Sequence, residues 1–383
     1  MQSLRGGDSR LKLWPVAGIL VVQVSLSLAH WFIYDTLIFF GGNLSPATVL
    51  ALRVALTLLA FSFMVGALLS FKFSNLLVEL IYKVAAVWLG FLNFFFVAAC
   101  LSWLAWYALL ATELGANPPA ARHFIGVGFF ALALLAGIYG LLNARWIRVR
   151  RIPVILPGLP ESWRGRSGVL LSDLHLGHVN GQQFTRRIVD LAASLNPDIV
   201  FIPGDLFDGS KVDPNYLAAP FTDLTPPLGI FFATGNHDEF GGMRLYAEAM
   251  KGAGIRVLTN ERVTVDGLHI VGVTFANSTD PISLRASLEG LRPDSGEASI
   301  LLNHMPSRLP IVEQAGVSLQ LSGHTHGGQM FPFNWMTRRV FGRFTYGLQQ
   351  FGALQVYTSS GAGTWGPPMR VGTHPEIVLL EFE

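Results

Sequence analysis

The chain has 383 residues, of which 51% are hydrophobic and 14% charged, and its formal charge is +2. Soluble domains typically carry about 25% charged residues, so an ordinary soluble protein is excluded, and no clustering of Lys and Arg makes a nucleic-acid footprint. The single cysteine, Cys100, lies inside an apolar stretch, which rules out a disulfide framework and a cysteine-based metal site within the chain.

Four apolar stretches come first, at about 13–40, 46–71, 82–110 and 123–144. Each exceeds the roughly 20 residues a helix needs to cross a bilayer. The first is too long for the core of a signal peptide, about 7–15 residues, and lacks a small-residue cleavage site before Trp31, Phe32 and Tyr34. It is therefore read as a span. Trp14, Trp31, Tyr34, Trp106, Tyr107 and Trp146 lie near segment ends, where aromatic belts form. Arg5, Arg10 and Lys12 precede the first span, Lys72 and Lys83 lie around the start of the third, and Arg145, Arg148, Arg150 and Arg151 follow the fourth. The loop at 41–46 has no cation, and the loop before the fourth span has only Arg122, with Glu113. The positive-inside rule then puts both termini and the C-terminal half in the cytoplasm. Glu79 and Lys83, one helical turn apart, form an expected pair. Asn93 is suited to an interhelical hydrogen bond. No row of buried ionisable groups marks an ion pathway, which argues against a transporter.

Residues 1–144 thus read as a transmembrane helical domain. Residues 145–164, basic and then rich in Pro and Gly, read as a juxtamembrane linker that contacts anionic lipid. Residues 165–383 form one further domain, long enough for a substantial core. Strands are expected at 169–171, 199–202, 230–233, 269–273, 300–302, 319–321, 356–357 and 377–380, with helices at 184–195 and about 242–251. The alternation argues for a layered α/β architecture. No internal repeat and no low-complexity tract is present.

Polar blocks follow these apolar runs directly. They are Asp173-Leu174-His175, Gly204-Asp205, Gly235-Asn236-His237, Asn303-His304 and Gly323-His324-Thr325-His326. Side chains at the carboxyl ends of neighbouring strands converge on one crevice, and Gly204, Gly235 and Gly323 let the backbone turn there. Carboxylate, imidazole and amide oxygen without thiolate suit Mn²⁺, Fe or Zn²⁺. Two such ions, about 3.5–4 Å apart, activate water near neutral pH and clamp phosphate oxygens during in-line displacement.

In these blocks the chain resembles the calcineurin-like metallophosphoesterase superfamily, whose pattern is D-x-H, G-D, G-N-H-[DE], H and G-H-x-H in this order. The resemblance covers roughly 165–383 and implies a β-sandwich flanked by helices. It implies that Asp173, His175, Asp205 and His326 hold one metal ion. Asp205, Asn236, His304 and His324 would hold the second, with Asp205 bridging. It further implies that His237 gives a proton to the leaving group or stabilises the transition state, and that Asp208 orients the site from outside the ligand set. The run from Gly323 to Gln329, with Gly361-Ala362-Gly363, Pro368-Met369-Arg370 and Pro375-Glu376, resembles the YkuE/YaeI type of bacterial membrane-associated phosphoesterase. Eukaryotic transmembrane proteins with a metallophosphoesterase domain share the layout.

His178 and Arg370 are candidate substrate contacts. His178 has the alternative of a solvated loop position, and Arg370 that of a structural salt bridge. Residues 329–346 mix Met330, Phe331, Phe333, Trp335, Met336, Phe341, Phe344 and Tyr346 with Arg338, Arg339 and Arg343, a composition suited to a headgroup interface or a lipid substrate. The expected function is a membrane-anchored two-metal phosphohydrolase, acting on a lipid-linked phosphodiester or pyrophosphate. UDP-2,3-diacylglucosamine is a candidate substrate through relatives of this type, and a bacterial inner membrane the expected location. One alternative is a soluble nucleotide or phosphoprotein substrate. Another is a non-catalytic membrane scaffold, which the filled ligand positions argue against.

Overall fold

The computed structural model describes residues 13–112, 119–291 and 296–383, so Arg5, Arg10, Lys12 and Glu113 lie outside the described residues. Contacts divide the chain into two compact units, Met1–Leu68 with Trp88–Leu135, and Leu69–Val87 with Ala136–Glu383. Four long helices come first: α1 (Leu13–Phe40), α2 (Pro46–Ser70), α3 (Leu76–Leu110) and α4 (Pro119–Arg145). All four are long and apolar enough to cross a membrane. In the first unit, Ile33, Leu56, Leu92 and Ala99 pack into one cluster. Two tryptophans bond across helices: Trp88 Nε1 donates to His30 Nε2 at 2.8 Å and Trp103 Nε1 to the Thr36 hydroxyl at 2.9 Å. Arg53, inside α2, was not anticipated as an intramembrane cation; its Nε and Nη2 donate to the Tyr34 hydroxyl at 3.3 and 3.2 Å.

The second unit continues with β1 (Arg148–Val154), β2 (Ser167–Leu170), α5 (Gln182–Ala193), β3 (Ile199–Ile202), α6 (Pro214–Ala218), β4 (Ile230–Phe232) and α7 (Asn236–Gly252). Then come β5 (Ile255–Val257), β6 (Glu261–Val265), β7 (Leu268–Gly272), α8 (Phe275–Thr279), α9 (Pro281–Gly290) and β8 (Ser299–Leu302). The chain closes with α10 (Leu309–Gln314), β9 (Leu319–Ser322), α11 (Phe333–Phe341), β10 (Gly347–Phe351), β11 (Leu354–Thr358) and β12 (Glu376–Phe382). One six-stranded sheet has the order β1-β12-β2-β3-β4-β5, the other β10-β11-β9-β8-β7-β6.

Period-two alternation assigns each strand residue to a layer. In the first sheet, Leu170, Ile199, Phe201 and Leu380 meet Ile270, Ile300, Leu302 and Leu321 of the second, forming the sandwich core. Val169, Val200, Ile202 and Phe232 face the other way, onto Ile188 and Val189 of α5 and Met250 of α7. Val271, Leu301 and Val356 face Leu284 and Leu288 of α9 and Val312 of α10. The result is two mixed sheets flanked by helices. Strands β2 to β5 run parallel to one another, as do β7 to β9, so their carboxyl ends open on shared edges.

Two boundaries differ from expectation. Residues 148–154, read as linker, form edge strand β1, parallel to β12. Its arginines occupy the open side while Val154 enters the core, an arrangement an edge strand tolerates. The end of α4 and the start of α3 belong to the second unit. At 35 residues, α3 is about 52 Å long against a hydrocarbon core of about 30 Å, so it has turns to spare for the second unit.

Candidate metal centre

Asp173 and His175 follow β2, Asp205 follows β3, Asn236 opens α7 after β4, His304 follows β8, and His324 and His326 follow β9. Five of these seven residues have left-handed backbones: Asp173 (φ 52°), His175 (47°), Asp205 (52°), His324 (68°) and His326 (48°). That conformation costs a non-glycine residue about 1–3 kcal/mol and persists only where the surroundings impose it. The motif glycines have separate reasons. Gly204 has φ 124°, and a Cβ there would also approach His304 Nδ1 at 2.6 Å. Gly235 and Gly323 lack the unusual φ expected of them; they are small because a Cβ would strike the carboxylates of Asp205 and Asp173 respectively.

The loops bring the side chains together. His175 Nε2 lies 3.0 Å from His326 Nε2 and 3.7 Å from Asp205 Oδ2. His304 Nε2 lies 3.2 Å from Asp205 Oδ2, His326 Nε2 lies 3.5 Å from Asp173 Oδ1, and His324 Nδ1 is 3.2 Å from Asn236 Oδ1. Three overlapping sets could each hold a cation: Asp173 with His175 and His326, His175 with Asp205 and His237, and Asp173 with Asp205 and His304. Two imidazole nitrogens facing at 3.0 Å repel unless a proton or cation lies between them. His175 Nδ1 is buried without a hydrogen-bond partner, a costly state for a polar atom. The donor set fits divalent metal ions.

The profile of the calcineurin-like phosphoesterase family matches residues 169–328, the interval holding every one of these side chains. A transmembrane protein with metallophosphoesterase domain from Danio rerio is 31% identical over 319 residues, covering 78% of this chain and 72% of that protein. The chain belongs to the calcineurin-like metallophosphoesterases. Other metallophosphoesterases that match include one from Campylobacter jejuni, 31% identical over 64% of this chain and 66% of its own length, and YkuE of Bacillus subtilis, 29% identical over 68% and 97%. The four apolar helices and these relatives make this metallophosphoesterase a membrane protein.

Electrostatics at the centre follow from burial and crowding. Burial pushes Asp173 up to about 6, with Asp205 adding to it against the opposing pull of His304. Burial would also raise Asp205, but His304 and His175 override it and hold that carboxyl well below the ordinary range. Burial lowers His175 to about 3 and His324 to about 4. His304 runs the other way: burial would lower it, yet Asp205, with Asp173 and Asp238 beyond, raises it to about 9. A cation binding His304 below that pH must displace a proton. Affinity of the metal-free protein for Mn²⁺ should therefore climb with pH and level off above about 9. Calorimetric titration across that range checks it, and a flat affinity between about pH 7 and 9 contradicts it.

His237 is half-buried, with Nδ1 3.2 Å from the Asp208 carbonyl and its ring 4.8 Å from that of His175. Asp208 thus touches His237 through its backbone; its carboxylate accepts from Ser210 N–H at 2.8 Å. Sequence reasoning missed Asp238. Its buried carboxylate accepts from the N–H groups of Asp205 (2.8 Å), Phe207 (3.1 Å) and Gly235 (2.8 Å), locking the loops after β3 and β4 together. The only signal was its place after Asn236-His237.

The two expected substrate contacts sit elsewhere. His178 is neither in solvent nor among the clustered side chains; it is buried, with its ring 6.1 Å from that of Tyr82 on α3. Arg370 is fully buried, and its Nη2 donates to the carbonyls of Ser360 (2.7 Å), Gly361 (3.1 Å) and Gly363 (2.6 Å). Its Nη1 lies 3.3 Å from the His326 carbonyl. These contacts tie the His326 loop to the segment 360–363 and leave the guanidinium turned away from solvent. From α4, Asn143 Nδ2 donates to the Arg370 and Thr373 carbonyls, both at 2.9 Å.

The rim is aromatic. Phe341 lies 6.1 Å from the His324 ring, Phe275 6.1 Å from His304, and Trp365 5.7 Å from His237. Phe341 ends α11, a helix with no buried residue, on which Trp335, Met336 and Val340 are 72%, 61% and 74% exposed.

Proposed function

We propose that this protein is a membrane-anchored phosphohydrolase that uses two divalent ions, Mn²⁺ foremost, to cleave a lipid-linked phosphodiester or pyrophosphate. A UDP-2,3-diacylglucosamine-type substrate fits that chemistry. The observation that carries the lipid assignment is α11, whose exposed apolar side chains and arginines adjoin the centre through Phe341 and His324. A water-soluble substrate gives no reason to expose Trp335, Met336 and Val340 together. The cations Lys72, Lys83, Arg145, Arg148, Arg150 and Arg151 support a cytoplasmic catalytic half in a bacterial inner membrane.

Asp173, His175, Asp205 and His326 would hold one ion, and Asp205, Asn236, His304 and His324 the other. Bound there, divalent ions supply Lewis acidity and an activated water near neutral pH. The chain supplies the rest. Asp238 fixes the loops of Asp205 and Asn236, and Arg370 those of His326 and Gly361. His237 donates Nδ1–H to the Asp208 carbonyl, which leaves Nε2, when the ring carries its second proton, to hand that proton to the departing oxygen. Replacing His237 by Ala should lower kcat about 10²–10⁴-fold with metal content unchanged. Metal analysis beside the rate separates this from loss of a ligand.

The deciding experiment compares the full chain in lipid nanodiscs on bis-p-nitrophenyl phosphate and on a UDP-diacylglucosamine-type lipid, with Mn²⁺ or with EDTA. Metal-dependent turnover of the lipid far above the soluble ester is expected. Turnover of the soluble ester alone would overturn the lipid assignment. Trp335→Glu with Val340→Glu should slow only the lipid reaction, because neither side chain is buried in the fold.

A further inference from the structure

Apart from the metal centre, a cavity of about 390 Å³ lies within the second unit, between the ends of α3 and α4 and the body of the sandwich. Its walls carry Lys83 of α3, Arg145 from the last turn of α4 and Arg187 of α5, and no carboxylate. Lys83 shares its charge with Glu79 at 2.5 Å. Arg145 and Arg187 have no ion-pair partner among the described residues. Val87 and Leu141, from the apolar runs of α3 and α4, make another part of the wall.

Cations gathered in a concavity without a counter-charge raise the local concentration of anions. Guanidinium groups suit phosphate, because their fork engages two oxygens at once. Basic pockets between membrane helices on the positive side hold acidic headgroups. A free phosphate would use the cations and leave the apolar wall without a role. An acidic phospholipid uses both. We propose that this cavity binds the phosphate-bearing headgroup of an acidic phospholipid, with its acyl portion along Val87 and Leu141.

The floor of the cavity is the loop through Ala362, Gly363 and Thr364. On its other side, Ala362 N–H donates to the Ser172 carbonyl and Gly363 N–H to that of Asp173, both at 3.0 Å. Asn180, also in the wall, donates to the Leu174 carbonyl at 2.9 Å. The bound lipid would therefore rest against the reverse side of the segment that carries Asp173 and His175. It is a resident lipid rather than the substrate, so the inference goes beyond the proposed function and stands or falls separately from it.

The test is native mass spectrometry of the full chain in detergent, titrated with phosphatidylglycerol or phosphatidylcholine. Wild type should retain phosphatidylglycerol preferentially. Arg145→Ala with Arg187→Ala should weaken that retention about tenfold or more, because both cations of the wall that lack a counter-charge are then gone. Arg187→Gln alone should weaken it in part, and Arg186→Ala, which removes the neighbouring cation paired with Asp223, should not. Hydrolysis of bis-p-nitrophenyl phosphate in detergent reports that each variant is folded. Equal retention by wild type and the double variant overturns the proposal, as does equal retention of the two lipids. Displacement of phosphatidylglycerol by millimolar inorganic phosphate would reassign the cavity to a soluble anion.

Discussion

Replacing Asp205 by Asn should abolish metal-dependent hydrolysis, with a fall in kcat of about 10³-fold or more, equivalent to about 4 kcal/mol of transition-state stabilisation. The substitution keeps the volume and removes the carboxylate charge that faces His175 and His304, at 3.7 and 3.2 Å. It also weakens the acceptor for His237 N–H, now 2.9 Å from Asp205 Oδ1. Elemental analysis of the purified variant should find little bound Mn²⁺. Wild-type turnover by Asp205→Asn would sink the two-ion mechanism, and the scaffold alternative would gain if wild type bound metal yet cleaved no ester.

Arg370→Met should have the second largest effect, this time on stability. The methionine fills much of the same space but orphans the Ser360 and Gly363 carbonyls, whereas those of Gly361 and His326 keep the backbone N–H groups of Glu376 and Gln329. Orphaned buried acceptors cost about 1–3 kcal/mol each, with partial relaxation, so a loss of about 4 kcal/mol is expected. For a unit of this size that lowers the melting temperature by roughly 8–16 °C. Metal affinity should fall about 10–100-fold, as it does when the groups that orient ligands are removed. Arg370→Lys should not restore it, because one ammonium cannot replace a planar fork aimed at several carbonyls. A variant that melts normally but shows a raised KM would instead return Arg370 to the substrate-contact role its sequence position suggested.

The ordered Asp, Asn and His blocks were legible because each lies directly after a run such as 199–202 or 319–321, where the strand ends and parallel neighbours deliver their loops to a common edge. The four spans were legible from apolar length alone. Other features depend on tertiary contacts that leave no local pattern. Arg148, Arg150 and Arg151 look like a linker until β12 is beside them. Asp238 is a helix-start acid by position, and only the approach of Asp205 and Phe207 N–H groups shows what it holds. Arg370 carries a charge, which in sequence suggests a phosphate contact, and its burial among carbonyls is set by residues 7 to 44 positions away. Arg53 was hidden by the apolar residues around it, and its pairing with Tyr34 requires knowing how α1 and α2 face each other.

The hydrogen bonds from Asn143 to the Arg370 and Thr373 carbonyls bear on whether this protein can be shed. Many anchored enzymes hang from a flexible stalk, and one proteolytic cut releases them intact. Here the last turns of α4 are bonded to the same residues that brace the His326 loop, and β1 starts three positions after α4 ends. A cut in that short junction separates Asn143 from the loop it holds and frees the amino end of an edge strand. Shedding and inactivation would then be a single event, which confines the activity to the membrane that holds the intact chain.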